Sequence, residues 1–320
     1  MIHRPFNKSL ICNDEFIKIS STERLADEIY YYNFLQQHDV KSLFAEFRGD
    51  VSTSNTYALK LKNYNHLNFY ENLLSKSFDK EKSLSLLINK LNLLHNYKIQ
   101  TNFECNEQNV CSNEKILIHK TETEFLKFIK SPNSFLDNLR FAETITINGS
   151  KCLHFEIIWP QIKKIIIQNY LFFEPSFIHG DFCFANILHD LSNDDFIFID
   201  PRGSYHKRGC FGDKAYDYAK LLHSLSGNYE QIIYDKYKLE ITNSRELNYS
   251  FENDFSYLKS LLLNKIDPLL FRKSKLIEGL LFISMCSRHY ENEEHQLIMY
   301  CQGLLILNEF IKNQSNFSNH

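Results

Sequence analysis

The sequence predicts an α+β protein with two unequal parts. A small, largely antiparallel β-sheet with one helix is predicted for residues 1–65, and a larger, mainly helical part for residues 66–320. The first part consists of short segments in which apolar and polar residues alternate, as in half-buried strands. After residue 66 apolar residues recur at helical spacing. A length of 320 residues suits one large domain or two lobes.

The small part reads as strand, strand, helix, strand, strand. Residues 9–20, SLICNDEFIKIS, predict two strands around an Asn-Asp turn. STERLADEIYYYNFLQQ follows as a helix that Ser21 or Thr22 can cap and whose early turns are acidic. Two more alternating segments predict strands on either side of the polar turn RGDVSTSN: SLFAEF and TYALKLKNY.

The larger part is predicted to be mostly helical. EKSLSLLINKLNLLHNY has an amphipathic pattern, and HFEIIWPQIKKIIIQNY predicts a helix around Pro160. The polar, Asn-rich residues 100–118 predict a loop. Four further helices are predicted nearer the C-terminus, near 214–226, 252–265, 274–290 and 293–312.

Composition excludes several classes of function. A net charge of −3 gives no overall electrostatic footprint for nucleic acid. The sequence starts without a secretory h-region, and no apolar stretch approaches the roughly 18–20 residues of a membrane span. We therefore expect a cytoplasmic protein that does not insert into membranes. The eight cysteines form no CxxC pair, so we expect no structural zinc site. The oligomeric state is not predicted.

The central segment FIHGDFCFANIL, residues 177–188, carries polar side chains within an apolar run. Asp181 and Asn186 lie five residues apart, and the apolar strand DDFIFID ends at Asp200. Carboxylate and amide oxygens are the ligands that Mg²⁺ prefers, together with waters and phosphate oxygens. A nearby carboxylate that does not bind the metal can accept a proton from an attacking hydroxyl. This combination of groups is what phosphoryl transfer requires.

Three motifs resemble those of the aminoglycoside phosphotransferase and choline kinase-like family, which has the protein-kinase-like fold. They are HGDFCFAN (179–186), FIFIDPRG (196–203) and GDKAYDYAKLLHS (212–224). The resemblance implies a two-lobed small-molecule kinase that uses Mg²⁺ and ATP or GTP. It also implies a role for each motif residue: Asp181 as catalytic base, Asn186 and Asp200 as metal ligands, Asp217 as a brace for the catalytic loop, and His179 as a residue that orients this loop.

The same resemblance implies a nucleotide-binding small lobe. Kinase-like folds hold the α- and β-phosphates with a strand Lys that pairs with a Glu of the next helix. Lys18 fits the first role, and Glu28 fits the second better than Glu23 or Asp27 because it directly precedes IYYYNFL. No Gly occurs before Gly49, so the Gly-rich loop that covers the phosphates in such kinases is missing. FNKS at 6–9 is a candidate replacement.

The acceptor is expected on the larger lobe. Arg202 directly follows the predicted metal ligand and Pro201, and it suits a phosphate or polar hydroxyl better than an ammonium. Asp213 is either an acceptor-side residue or an ordinary N-cap. Because positive and negative residues nearly balance in this part of the sequence, we expect the acceptor to be a sugar or an amino alcohol such as choline or ethanolamine.

Three alternatives stay open at the sequence level. The first is a nucleotide-binding pseudokinase or regulatory protein, which the missing glycines favour and the intact Lys18, Asp181, Asn186 and Asp200 disfavour. The second is an aminoglycoside phosphotransferase with a polycationic acceptor. The third is a protein kinase, against which the lack of HRD-like and APE-like motifs counts.

Overall fold

The computed structural model describes residues 7–98, 107–131 and 143–317. Its contacts divide the chain into two compact units. The first combines residues 1–104 with 175–217, and the second combines residues 105–174 with 218–320. This division differs from the predicted one, in which the two lobes meet at residue 65. The predicted lobe boundary stays a prediction. The α+β class is confirmed, since both units contain sheets and helices.

The first unit contains a four-stranded antiparallel sheet, in which the second and fourth strands along the chain are the two central ones. The predicted hairpin around the Asn-Asp turn is confirmed. Lys18 lies mid-sheet, since it pairs with Ser9 on one side and Leu59 on the other. The strands are β1 (Asn7–Cys12), β2 (Glu15–Ser20), β3 (Phe47–Asp50) and β4 (Tyr57–Lys62).

The predicted helix of this unit, α1, spans Glu23–Leu35. Its apolar face is buried and includes Leu25, Ile29 and Tyr32, which recur at helical spacing. Thr22 occupies the N-cap position, but its side chain makes no capping hydrogen bond. The helix therefore depends on its buried face more than on its cap.

The prediction of a strand over SLFAEF is wrong at its start. Residues Asp39–Leu43 form a 3₁₀ turn, and β3 begins only at Phe47 and takes in the first three residues of the predicted polar turn. The reason is burial, because Leu43, Phe44 and Ala45 are all buried in succession, whereas a strand would alternate. Phe44 forms an isolated bridge with Phe198 instead.

The remaining elements of the first unit surround the central segment. Residues Ile187–Asp190 and Asp195–Phe198 form an antiparallel hairpin, which we call the 187–198 hairpin. Ser176–Phe177 pairs with Phe211–Gly212. Two further helices of this unit are Phe69–Leu73 and the predicted amphipathic helix, Lys80–Asn96.

The second unit contains another four-stranded sheet, which the sequence analysis missed. Asn148 and Gly149 form the turn between two of its strands, Thr144–Ile147 and Ser150–Leu153. Asn-Gly is the strongest short-range signal for a hairpin. The prediction of a mainly helical part after residue 66 is confirmed, but these four strands were not predicted. In spatial order the strands are Tyr237–Asn243, Glu246–Phe251, Thr144–Ile147 and Ser150–Leu153.

The helices of the second unit follow the prediction in part. Phe155–Asn169 contains Pro160 as expected, but the predicted loop 100–118 is wrong where the structure describes it. Residues Glu107–Asn113 are α-helical and Glu114–His119 form a π-helix. The other helices are Lys120–Lys130, Lys214–Leu225 (which begins in the first unit), Tyr229–Ile233, Lys259–Lys265, Pro268–Met285 and Glu293–Phe317.

Two details correct the C-terminal predictions. The helix expected over 252–265 begins only at Lys259, because the preceding residues form a strand that ends at Phe251 and a 3₁₀ turn. The helix expected over 274–290 begins earlier, where the Asp267 side chain caps Pro268–Met285. None of the helices in the described ranges is long and apolar enough to cross a membrane.

Candidate active site

Lys18 is the centre of a buried ion-pair cluster in the first unit. Its Nζ lies 2.6 Å from Glu28 Oε2 and 2.6 Å from Asp200 Oδ1. Burial alone would lower the pKa of Lys18, but the two carboxylates outweigh burial and hold that pKa above its ordinary value. Lys18 is therefore a fixed cation between two acidic side chains.

Glu28, and not its acidic neighbours, faces Lys18. Burial raises the pKa of Glu28 to about 7, which Lys18 partly offsets. Glu23 and Asp27 instead pair with Arg208, at 3.3 and 2.7 Å. The helical period explains the difference, because only Glu28 lies on the buried face of α1.

Residues 179–181, which we call the HGD loop, are held by the buried carboxylate of Asp217. This carboxylate accepts hydrogen bonds from the backbone N–H groups of His179 and Gly180, at 2.8 and 2.7 Å. His95 Nε2 lies 3.0 Å from the same carboxylate. Asp217 therefore fixes the backbone that leads directly into Asp181.

His179 is placed to orient this loop. Its Nδ1 accepts the backbone N–H of Asp181 at 3.2 Å, so the ring proton lies on Nε2 and is donated to Ile199 O at 2.9 Å. Burial lowers the pKa of His179, which keeps the ring neutral. The ring thus links the HGD loop to the residue before Asp200.

Asn186 and Asp200 lie at the same end of the 187–198 hairpin. The backbone N–H of Ile199 donates to Asn186 O at 3.0 Å, which places Asp200 one residue beyond this pairing. The side-chain amide of Asn186 donates to Asp181 O at 2.9 Å, which leaves its carbonyl oxygen to act as a ligand. Asp200 has a φ of +57°, a left-handed conformation that is uncommon outside Gly and costs roughly 1–3 kcal/mol.

These two residues fit a hard cation that is shared with a phosphate. Among the described residues, no group of three or more His, Cys, Asp or Glu side chains could hold a metal. One carboxylate and one amide oxygen instead suit Mg²⁺, which keeps waters and takes phosphate oxygens as its other ligands. Lys18 and Arg24 outweigh the effect of burial and lower the pKa of Asp200, so it is ionised and available as a ligand.

Of the two predicted acceptor-side residues, Arg202 borders the HGD loop, and Asp213 caps a helix. Arg202 donates its backbone N–H to His179 O at 2.8 Å, and its Nη1 lies 3.4 Å from Tyr216 OH. A Cβ on Gly180 would lie 2.8 Å from Arg202 Cβ, so the loop and Arg202 pack tightly. Asp213 Oδ1 accepts the backbone N–H of Ala215, which is the N-cap geometry. Acceptor binding by Arg202 or Asp213 stays a prediction.

Sequence reasoning missed Arg24 and His95. Arg24 Nη2 lies 3.3 Å from Asp181 Oδ2, and His95 contacts Asp217. A signal for Arg24 was present, since a cation in the first turn of a helix opposes the helix dipole and needs a compensating partner. The sequence carries no comparable signal for His95, which lies 122 residues from Asp217 along the chain.

Close contacts connect α1 to residues 178–203, which include Asp181 and Asp200. Tyr31 donates its hydroxyl to Ile178 O at 2.8 Å. Gly203 has a φ of +65°, and a Cβ there would lie 1.9 Å from Asp27 O, so only Gly fits against the backbone of α1. These contacts set the position of Glu28 relative to Asp200.

Comparison with known proteins shows which family the chain resembles. Residues 116–239 match the model of the phosphotransferase enzyme family APH. The chain resembles the APH phosphotransferases. This result confirms the resemblance predicted from the three motifs and the predicted class of enzyme, a phosphotransferase. No curated protein matches the chain.

Solved structures of APH phosphotransferases and of a sugar-amine kinase share the fold. An APH(4)-Ia mutant in ternary complex with AMP-PNP and hygromycin B has a TM-score of 0.53 at 9% identity, covering 96% of this chain and 91% of that chain. The gentamicin complex of APH(2")-IIa has a TM-score of 0.51 at 13% identity, with 94% and 87% covered. A putative fructosamine-3-kinase from Haemophilus somnus 129PT also has 0.51 at 13%, with 94% and 90% covered. The predicted protein-kinase-like fold is confirmed.

Proposed function

We propose that this phosphotransferase is a small-molecule kinase that transfers the γ-phosphoryl group of ATP or GTP to a hydroxyl of a small metabolite. The observation that carries the proposal is the Lys18 ammonium, 2.6 Å from both Glu28 and Asp200. The predicted base Asp181 lies in the same unit, on a loop that Asp217 holds. Fixed charges of this kind meet the main need of phosphoryl transfer, which is positioning and charge stabilisation.

In this proposal each residue of the cluster has one task. Lys18 binds the α- and β-phosphate oxygens, and Glu28 holds its ammonium in place. Asn186 and Asp200 hold Mg²⁺, which neutralises phosphate charge when it is bound. His179 and Asp217 keep the HGD loop in the shape that aims Asp181 at the acceptor.

The transfer itself needs one proton acceptor. The acceptor hydroxyl oxygen forms a bond to the γ-phosphorus while its proton passes to Asp181. The bond from that phosphorus to the bridging oxygen breaks, and its electron pair stays on the nucleoside diphosphate. The products are a phosphate monoester and the diphosphate, with the proton on Asp181 until solvent removes it.

The acceptor class that we propose is a sugar or an amino alcohol. Arg202 and Tyr216 beside the HGD loop offer a guanidinium and a hydroxyl, which suit polar oxygens better than a polycation. Two of the similar structures are named for complexes with gentamicin and hygromycin B, so an aminoglycoside is the second candidate. A third is named as a putative fructosamine kinase, in line with a sugar-like acceptor.

A pooled-acceptor assay tests this proposal. The protein is incubated with Mg-ATP or Mg-GTP and pools of sugars, amino alcohols and aminoglycosides, and the products are scored by mass spectrometry for the gain of one phosphoryl group. We expect a phosphorylated sugar or amino alcohol. If an aminoglycoside is phosphorylated faster than both of these classes, and if the rate of its phosphorylation falls steeply with salt, the proposed acceptor class is wrong. The proposal that the protein is a kinase would still stand. Nucleotide binding without any phosphorylated product would favour the pseudokinase.

A further inference from the structure

Arg24 occupies an unusual place for a cation. It lies in the first turn of α1, where the positive end of the helix dipole favours acidic side chains. Its Nη2 lies 3.3 Å from Asp181 Oδ2, and 41% of its side chain is exposed. Solvent and solutes can therefore reach the guanidinium while it pairs with the predicted catalytic base.

The electrostatic surroundings of Arg24 extend beyond Asp181. Burial lowers the pKa of Arg24, but Asp181, then Asp200 and Glu28, outweigh it and raise the pKa above its ordinary value. The guanidinium is thus within electrostatic range of both the predicted base and the predicted metal ligand. In an in-line transfer the γ-phosphoryl group occupies the space between these two groups.

The small sheet lacks the Gly-containing turn that would otherwise bind the terminal phosphate, so a cation is needed near that phosphate. The described part of β1 and its turn to β2 contains no Gly, and the first Gly of the chain is Gly49. A tight phosphate-binding turn usually needs Gly so that backbone amides can approach the phosphate oxygens. A site without such a turn needs another donor of hydrogen bonds and positive charge for the terminal phosphate.

We propose that Arg24 binds the γ-phosphate of the nucleotide and exchanges its ion pair with Asp181 for phosphate oxygens. This inference rests on the proposed function. A guanidinium forms paired hydrogen bonds to phosphate oxygens, which makes a phosphate at least as good a partner as the single contact with Asp181. The exchange releases Asp181 from this ion pair only when a nucleoside triphosphate is bound. Asp181 can then accept the proton of the acceptor hydroxyl only while the phosphate donor is present.

Calorimetric titration with two nucleotides in the presence of Mg²⁺ tests the proposal without an acceptor. The probes are β,γ-imido-ATP, which has a γ-phosphate and is not hydrolysed, and ADP, which lacks one. We expect Arg24→Gln to weaken imido-ATP binding roughly 10- to 100-fold, the usual effect of losing a charged hydrogen bond, and to leave ADP binding nearly unchanged. Arg24→Lys keeps the charge without the paired donors, so we expect a smaller loss with the same selectivity.

Arg48→Gln is the matched control. Arg48 lies in the same unit, where it pairs with Glu46 at 2.9 Å and Asp14 at 3.5 Å. Its loss should change the affinity for both nucleotides little. Equal weakening of imido-ATP and ADP by the Arg24 variants, or no weakening of either, would overturn the role of Arg24 while the kinase proposal stands. A wild-type protein that binds neither of these nucleotides, and neither GDP nor β,γ-imido-GTP in the same titration, would overturn both.

Discussion

The two compact units each contain a four-stranded sheet, but the polar groups buried against these sheets differ in kind. In the first unit Lys18, mid-sheet, pairs with two carboxylates at 2.6 Å. In the second unit two buried contacts of the strands involve neutral groups only. Asn308 exchanges hydrogen bonds with the backbone of Leu153, and Tyr249 donates its hydroxyl to Gln302 at 3.1 Å.

This difference separates function from structure. A neutral network costs little to bury once each group is bonded, and it specifies one arrangement of strands. Buried charges lose their hydration, and a buried ion pair is weak evidence for stability. The cluster around Lys18 therefore calls for another explanation, and a charged ligand supplies it. We expect changes in the first sheet to affect ligand binding and catalysis, and changes in the second to affect the free energy of unfolding.

The largest effect is expected for Asp181→Asn. The amide keeps the shape of the side chain but cannot accept the acceptor proton, so turnover should fall by about 10²- to 10⁴-fold. Steady-state rates on the acceptor found in the pooled assay measure the loss, and the affinity for Mg-nucleotide in the same variant serves as control. Turnover close to that of the wild type would remove Asp181 from the role of base.

The next effect separates two members of the ion-pair cluster. Asp200→Ala should abolish the part of nucleotide affinity that depends on Mg²⁺, because this carboxylate would act through the cation. Lys18→Ala should weaken nucleotide binding with or without Mg²⁺, because the ammonium would contact the phosphates directly. Calorimetry in both conditions distinguishes them. The same metal dependence in both variants would refute this division of roles.

In the second sheet Leu247→Ala should act on stability alone. Leu247 is buried at the pairing with Ile147, and removing such a side chain typically costs about 2–5 kcal/mol of unfolding free energy. Denaturant unfolding measures this loss. Leu153→Ala, at a half-exposed position of the same sheet, is the matched control and should cost far less. A lower kcat per folded molecule in Leu247→Ala, with stability unchanged, would contradict the comparison.

The smallest effect concerns His154. Burial lowers the pKa of this side chain in the folded protein, and Tyr300 OH lies 3.1 Å from its Nδ1. The unfolded chain therefore binds a proton more readily, so this contribution to stability is present above the ordinary His pKa of about 6.5 and is lost as pH falls through the lowered value. His154→Gln should flatten the unfolding free energy against pH in that window. An unchanged slope would exclude His154 as its source.

The sequence predicts those elements whose determinants are local. The hairpin of β1 and β2 follows from the Asn-Asp turn and the alternating residues on both sides. Helix α1 and the helix Lys80–Asn96 follow from apolar residues at helical spacing. The pairing of Glu28 with Lys18 was implied by the family resemblance, and the structure agrees with it, because Glu28 is the only acidic residue on the buried face of α1.

The features that escaped prediction depend on contacts between distant residues. Residues Glu246–Phe251 pair in parallel with Thr144–Ile147, about a hundred residues earlier, so no local pattern shows that the two segments share a sheet. Arg24 and Asp181 lie 157 residues apart, and their ion pair forms only because α1 packs on residues 178–203. The fold class and the motif residues were therefore predictable, whereas this ion pair was not.

The most direct test of the central claim is a pair of calorimetric titrations of the wild-type protein, one with ATP and one with GTP, each repeated with and without Mg²⁺. The claim is that the buried charges of the first unit form a site for a metal-bound nucleoside triphosphate. It predicts saturable binding of ATP or GTP at one site per chain, tighter in the presence of Mg²⁺ because Asn186 and Asp200 hold the cation against the phosphates. Binding of neither nucleotide in either condition would contradict the claim.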